Sequence, residues 1–128
     1  MTSKNVALIL GIIFIAVGLL GFIPNPIVGE GGIFHTDTLH NLVHLISGAL
    51  FAIVAIASPA NAPMFMKIFG VVYFLIGVVG LFSLGEDGTG MALGFLHVNS
   101  ADNYLHLALG VVIFLAGTMK APTTTTTT

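Results

Sequence analysis

Four long stretches of apolar residues dominate the sequence. They span residues 5–23, 39–57, 65–83 and 102–119, and each is rich in Leu, Ile, Val and Phe. An α-helix needs about 20 residues to cross about 30 Å of hydrocarbon, and these side chains favour insertion by about 0.3–0.6 kcal/mol each. The pattern predicts an all-α integral membrane protein, a bundle of four transmembrane helices in a single domain over residues 1–120.

The composition agrees with a membrane protein and argues against other classes. Only 6% of the 128 residues are charged, and 56% are hydrophobic. A water-soluble domain usually carries about 25% charged residues, so this chain cannot cover itself with an ordinary aqueous surface. It has no cysteine, which excludes disulfide bonds and thiolate metal sites. With three lysines and no arginine, it has no basic surface for nucleic acid, and we expect the lipid bilayer as its partner instead.

The few charged residues predict the orientation in the cell membrane. Lys4 precedes the first apolar stretch, Lys67 lies at the turn between the second and third, and Lys120 follows the fourth. These three places lie on one side of the membrane if the chain crosses it four times, and the positive-inside rule then places both termini in the cytoplasm. The acidic residues all belong to the other side: Glu30, Asp37, Glu86, Asp87 and Asp102.

The two halves of the chain repeat one pattern. The first and third stretches share the spacing GxxxxxxGxxG, which begins at Gly11 and at Gly70, and the second and fourth stretches contain the similar segments HNLVHLISG and DNYLHLALG. The repeat units are about 8–57 and 67–118, and each crosses the membrane twice. We therefore predict two duplicated helical hairpins that point the same way, a parallel repeat with a pseudo-twofold axis along the membrane normal. The glycines of each copy line one helix face, where small residues allow close helix packing.

The segments outside the helices are polar or rich in glycine and proline. Thr38 and Ser100 occupy equivalent positions just before the second and fourth stretches, so we expect them to be the N-cap residues. The two outer loops, about 24–38 and 84–101, contain several glycines. The poly-Thr tail, residues 121–128, is of low complexity and has no apolar face to bury, which is typical of a flexible end.

A repeated Asn-x-x-His-x-x-x-Gly motif is the most informative polar feature. Its members fall at i, i+3 and i+7, so they share one helix face. A buried imidazole needs hydrogen-bond partners, and a first interpretation is that the two histidines bond to asparagines or carbonyls across the bundle, which holds membrane helices in register at about 0.6–2 kcal/mol per bond. The protein is then a non-enzymatic accessory or scaffold subunit that binds other membrane proteins or itself. The motif residues are Asn41, His44, Gly48, Asn103, His106 and Gly110.

Two cofactor hypotheses use the same histidines. His40 and His44 are four residues apart, as are Asp102 and His106, so each pair lies on one helix face. If the pseudo-twofold axis brings the pairs together, three nitrogens and one oxygen form a set that suits Zn²⁺. Alternatively, His44 or His106 is the axial ligand of a haem or another tetrapyrrole pigment. The spacing does not choose between a cofactor and the hydrogen-bonded motif.

The apolar stretches argue against transport and catalysis. The first has no hydrogen-bonding side chain between Val6 and Phe22, and the third has only Tyr73 between Lys67 and Ser83. Substrate and proton paths are usually lined with polar groups near the bilayer midplane, and no motif of a known nucleophile includes these histidines. The sequence therefore predicts that the protein is not an enzyme, and a small transporter or membrane enzyme is the remaining alternative.

The segments HNLVHLISG and ADNYLHLALG, each after a GxxxxxxGxxG helix, resemble an uncharacterised bacterial family of four-helix membrane proteins, domain-of-unknown-function family 4383. The resemblance covers about Leu8 to Gly117. It implies the four-helix fold and a bacterial cytoplasmic membrane, and it implies no known activity. The signature positions that it implies are Asn41, His44, Asn103 and His106.

Overall fold

Four α-helices make up most of the protein in a computed structural model, which describes residues 1–121. Each helix begins and ends within three residues of the predicted bounds. A short 3₁₀ turn, Pro59–Asn61, joins the second and third helices. Apart from Ala121, the predicted poly-Thr tail lies outside the described residues. The helices are α1 (Ser3–Leu20), α2 (Thr38–Ala57), α3 (Ala62–Phe82) and α4 (Ser100–Ala116).

Three of the helices are long and apolar enough to cross a membrane. The best 18-residue windows of α1, α2 and α3 (with its preceding turn) have mean hydropathies of 2.2, 1.9 and 2.2. α4 is also apolar but has only 17 residues, or about 26 Å of helix. Large apolar side chains cover the outside of the bundle, among them Ile12 (60% exposed), Ile53 (58%) and Val112 (54%). This is the surface of a helical protein that inserts into a membrane.

The helices pack in pairs through glycines. A Cβ atom added to Gly48 of α2 would lie 2.7 Å from the carbonyl oxygen of Gly11 in α1. A Cβ atom on Gly110 of α4 would lie 2.6 Å from the backbone nitrogen of Phe74 in α3, and 2.8 Å from the carbonyl oxygen of Gly70. Real side chains do not come this close, so the two backbones of each pair touch only because glycine has no side chain.

The two ends of the bundle differ. At one end, the start of α1 lies beside the end of α4, since the backbone N–H of Ser3 donates to the carbonyl oxygen of Lys120 at 3.1 Å. The opposite end, which we call the loop end, carries the first long loop (residues 21–37) and the second long loop (residues 83–99). The apolar core lies between them and includes a fully buried Phe51. The polar motif residues lie at the loop end.

The N-cap prediction was wrong by one residue at both helices. Thr38 and Ser100 are the first helical residues, and the caps are Asp37 and Asn99, whose backbones are extended. Oδ1 of Asp37 accepts the backbone N–H three residues ahead at 2.8 Å. Asn99 forms a reciprocal capping box with Asp102, with N···O distances of 3.0 and 3.2 Å. Carboxylate and amide oxygens cap well, and only a residue outside the helix can direct its side chain at these donors.

The second long loop contains a β-hairpin that the sequence analysis did not predict. Strands β1 (Thr89–Ala92) and β2 (Leu96–Asn99) are antiparallel. Leu96 (4% exposed) and Val98 (0%) form a small apolar cluster, against which Val43 of α2 packs. The hairpin therefore covers the loop end of α2, directly beside the histidines of that helix.

Asp87 fixes the turn that leads into this hairpin. Its Oδ1 accepts the backbone N–H of Thr89 at 3.0 Å, and its Oδ2 accepts the hydroxyl of the same residue at 2.9 Å. These hydrogen bonds stabilise the carboxylate and lower the pKa of Asp87. The turn consequently carries a negative charge at the loop end of the bundle.

Candidate metal centre

Three histidines meet in the interior of the bundle near its loop end. His40 and His44 lie one turn apart on α2, and His106 lies on α4. Their exposed fractions are 1%, 7% and 3%. One ring nitrogen from each histidine can be chosen so that all three lie within 4.8 Å of one another. We call these residues the histidine cluster.

Aromatic rings enclose the histidine cluster. Within it, the ring centroid of His40 lies 4.6 Å from that of His44 and 5.6 Å from that of His106. Phe14 of α1 stacks on His44 with centroids 5.9 Å apart, and Tyr73 of α3 meets His106 edge-on at 5.8 Å. All four helices thus contribute a ring to the site.

A backbone carbonyl orients the imidazole of His40. Its Nδ1 lies 2.7 Å from the carbonyl oxygen of His97 in β2. A carbonyl oxygen only accepts hydrogen bonds, so Nδ1 of His40 is the donor and its Nε2 keeps a lone pair. Histidines that bind metal ions usually donate their second ring nitrogen in this way, which fixes the ring and strengthens the ligand.

The other two histidines each have a ring nitrogen without a hydrogen bond. Nδ1 of His44 and Nδ1 of His106 are buried, and among residues 1–121 neither has a hydrogen-bond partner. A buried polar group without a hydrogen bond lowers the stability of the folded protein by about 1–3 kcal/mol. The site therefore has unused capacity to bind a polar ligand or an ion.

The spacing of the nitrogens fits a metal ion after a small contraction. Three atoms within 4.8 Å of one another share a point no more than about 2.8 Å from each, and a Zn–N bond measures about 2.0–2.1 Å. Each ring would move inward by about 0.7 Å or less to ligate zinc. Side-chain rotations of the three imidazoles can supply a shift of that size.

Asp102, the fourth predicted ligand, is not part of the histidine cluster. It is buried, with 2% of its surface exposed, but its carboxylate closes the capping box of α4 with the backbone N–H of Asn99. The position equivalent to Asp102 in the first half of the chain is His40, which does join the cluster. The site therefore contains three of the four predicted ligands.

The predicted hydrogen bonds between histidines and asparagines across the bundle are not formed. Oδ1 of Asn41 and both side-chain atoms of Asn103 are buried without a hydrogen-bond partner in the part of the chain that the structure describes. Each amide packs instead against a glycine of its own helix pair: a Cβ atom added to Gly21 would overlap Asn41, and one added to Gly80 would overlap Asn103. The close approach of the paired helices brings the amides to these glycines.

The space beside the histidine cluster is too small for a tetrapyrrole. The larger of the two cavities that His44 and His106 line has a volume of about 230 Å³, and the smaller one about 90 Å³. A cavity of about 150 Å³ holds a single benzene molecule, so neither holds a macrocycle of four five-membered rings. The structure does not support the haem or pigment hypothesis.

A second histidine pair, His35 and His97, links the two long loops. Nδ1 of His35 lies 3.3 Å from Nε2 of His97, and both residues are half-buried. The pair lies above the histidine cluster, because the carbonyl of His97 is the group that binds His40. Sequence reasoning did not identify Phe14 or Thr36 as neighbours of the site, since an apolar ring and a loop threonine carry no spacing signal.

These features define a helical membrane protein with a buried cluster of histidines at one end of its bundle. The family model described as "Domain of unknown function (DUF4383)" matches residues 4–119, and the chain belongs to this family. The resemblance found in the sequence is thereby confirmed. No curated protein and no solved structure matches the chain.

Proposed function

We propose that this protein is an integral membrane protein that binds one transition-metal ion through His40, His44 and His106. One observation carries the proposal: three buried imidazole nitrogens lie within 4.8 Å of one another. The unpartnered Nδ1 atoms of two of these histidines support it, because a bound cation provides the partner that a buried lone pair lacks.

The donor set selects the kind of metal. Imidazole nitrogens suit Zn²⁺, Cu²⁺, Fe²⁺ and Ni²⁺, whereas Ca²⁺ and Mg²⁺ prefer oxygen ligands. A site with three protein ligands leaves a fourth tetrahedral position for water or another small ligand. We infer a zinc-type site with one open position, which makes the metal hypothesis the best supported of the sequence-based alternatives.

The proposal includes the architecture predicted from the sequence. Two duplicated hairpins form a parallel repeat, both termini lie in the cytoplasm, and the loop end faces the outside of a bacterial cytoplasmic membrane. The two helix pairs support the duplication, since glycines contact backbone at matching positions and each asparagine of the motif packs on a matching glycine. The three lysines support the orientation, because all of them lie toward the end where Ser3 meets Lys120.

Two predictions from the sequence stay predictions. One is that the protein is an accessory or scaffold subunit of a larger membrane assembly, and the other is that it is not an enzyme. A metal ion in the interior is compatible with both, because three-histidine sites serve binding as well as catalysis. Co-purification of a membrane partner would support the first.

Metal analysis of the purified protein tests the proposal. The untagged protein, equilibrated with Zn²⁺ in detergent and dialysed against metal-free buffer, is expected to retain about one zinc ion per chain. A polyhistidine tag must be absent, because it binds zinc itself. Elemental analysis that finds no metal above a protein-free detergent blank would contradict the proposed function.

A further inference from the structure

A cavity of about 230 Å³ adjoins the histidine cluster. Its walls come from α1, the first long loop and α4, together with His44 of α2. Toward the middle of the bundle it is lined by apolar side chains such as Leu10, Phe14 and Leu109, and toward the loop end by the polar residues Thr36 and Asp102 and by two of the clustered histidines. The cavity is therefore mainly apolar, with a small group of polar residues toward the loop end, which we call its polar end.

The cavity is accessible from the lipid-facing surface. Three of its lining residues, Ile13, Ile27 and Leu105, are 49%, 48% and 39% exposed. They come from α1, the first long loop and α4, so the opening lies between these elements. A molecule dissolved in the bilayer can enter here without crossing water.

The polar end of the cavity holds unsatisfied groups. Thr36 is 3% exposed, and its hydroxyl has no hydrogen-bond partner among the described residues. His44 and His106 line the same cavity, and in each the buried Nδ1 likewise lacks a partner. Buried polar atoms are nearly always satisfied in native proteins. Three of the residues that line this cavity therefore each carry a buried polar atom without a partner, which indicates a bound ligand with hydrogen-bonding capacity.

We propose that this cavity binds a neutral, medium-chain lipophile that ends in a hydroxyl or carbonyl oxygen. The apolar walls take the chain, and the oxygen lies between the hydroxyl of Thr36 and the histidine cluster. A cavity of about 150 Å³ admits the six carbons of benzene, so one of this size holds about nine non-hydrogen atoms. The buried carboxyl group of Asp102 disfavours a second carboxylate, and the apolar walls disfavour any charged head group because it would lose its hydration, so we infer a neutral ligand.

The metal adds a second contact for the same oxygen. With three histidine ligands, the open position of the proposed ion is available to the oxygen of a bound lipophile. This contact rests on the proposed function: an ion that takes the Nδ1 atoms of His44 and His106 leaves Thr36 as the hydrogen-bonding group of the cavity, whereas without an ion all three residues keep a free polar atom. The two parts of the inference are therefore tested separately.

Photolabelling with an octanol that carries a diazirine tests the site. We use the full chain in detergent or in vesicles and expect saturable adducts in residues 10–20 and 102–109. An excess of octanol should reduce this labelling, and octane should reduce it much less. Val17→Phe fills part of the cavity from α1. It is expected to reduce labelling by about tenfold, because the new ring displaces about two CH₂ groups of the ligand from the cavity. Val71→Phe, on the exposed face of α3, is the matched control and leaves labelling unchanged.

The outcomes separate the lipophile site from the metal. The proposed site is overturned if the adducts spread over all the helices without saturation, or if labelling is unchanged in Val17→Phe. If Val17→Phe does not fold, Leu109→Phe takes its place. If zinc loading tightens octanol binding by about tenfold, the oxygen ligates the ion. If zinc binds and octanol affinity stays the same, the ligation is overturned. If no zinc binds, the proposed function fails, while labelling of the metal-free protein still decides the site.

Discussion

His106→Leu is expected to weaken zinc binding by at least about 100-fold, because it removes one of three ligands and even the loss of a supporting contact costs 10–100-fold. Isothermal titration or competition with a chelator measures the dissociation constant. His35→Ala is the matched control: His35 is a histidine of the same end of the bundle that lies outside the cluster, and its loss should leave affinity within about threefold of wild type.

The same substitution separates the metal site from a hydrogen-bonded motif. If His106 were held by bonds across the bundle, leucine would lower the free energy of unfolding of the metal-free protein by about 1–2 kcal/mol. Because its Nδ1 has no partner within the described chain, leucine of similar size should leave that free energy unchanged or raise it. Zinc at 100 times its dissociation constant should stabilise wild type by about 2.7 kcal/mol and the variant not at all. Equal zinc binding by both proteins contradicts the assignment.

Gly110→Val is expected to lower the free energy of unfolding by about 3 kcal/mol, the upper range for overpacking a closely packed interior. The new Cβ would lie 2.6 Å from the backbone nitrogen of Phe74, so α3 and α4 would have to separate. Gly48→Val in α2 should have a similar effect, because its Cβ would lie 2.7 Å from a backbone oxygen of α1. Unfolding of the protein in mixed micelles with increasing sodium dodecyl sulfate gives both values.

A glycine outside the helix contacts provides the control for these substitutions. Apart from its two chain neighbours, none of the described residues has an atom within 4 Å of a Cβ placed on Gly31, so Gly31→Val should change the free energy of unfolding by less than about 0.5 kcal/mol. If Gly48→Val and Gly110→Val behaved like Gly31→Val, the backbones would not be in contact. If only one of them were destabilising, the two helix pairs would not be equivalent and the duplication would lose its main support.

The helices were predictable because a lipid environment allows the backbone few conformations. Backbone groups in hydrocarbon must bond to one another, so an apolar stretch of about 20 residues forms a helix. The β-hairpin over residues 89–99 gave no such signal. Its strands have four residues each. They depend on packing of the cluster of Ala92, Leu96 and Val98 against Val43 of α2, a contact between segments far apart in the chain that local pattern does not encode.

The candidate site was predictable in its residue types but not in its partners. Spacing placed His40 and His44 on one face of α2, and the structure brings them together with His106. The repeat suggested that Asp102 would take part as the counterpart of His40, yet the N-terminus of α4 uses that carboxylate in its capping box. Which neighbour a polar side chain meets depends on helix rotation and on the distance between helices, and glycines set both through close packing.

The asparagines show the same limit of prediction from the sequence. They share the helix face of the histidines, and from that the sequence suggested bonds between the two residue types. In the structure Asn41 lies against Gly21 and Asn103 against Gly80, because the first helix of each pair ends beside the second helix of the same pair. The position of these asparagines on one helix face therefore predicted that they are buried, but it did not predict which residues they contact.

X-ray absorption at the zinc edge of the loaded, untagged protein is the most direct test of the histidine cluster as a metal centre. The structure predicts a four-coordinate ion with three imidazole nitrogens at about 2.0–2.1 Å, and two imidazoles in His106→Leu if that variant is loaded at high zinc concentration. A shell of water oxygens alone, or of a single imidazole, would show that zinc binds elsewhere and would contradict the assignment.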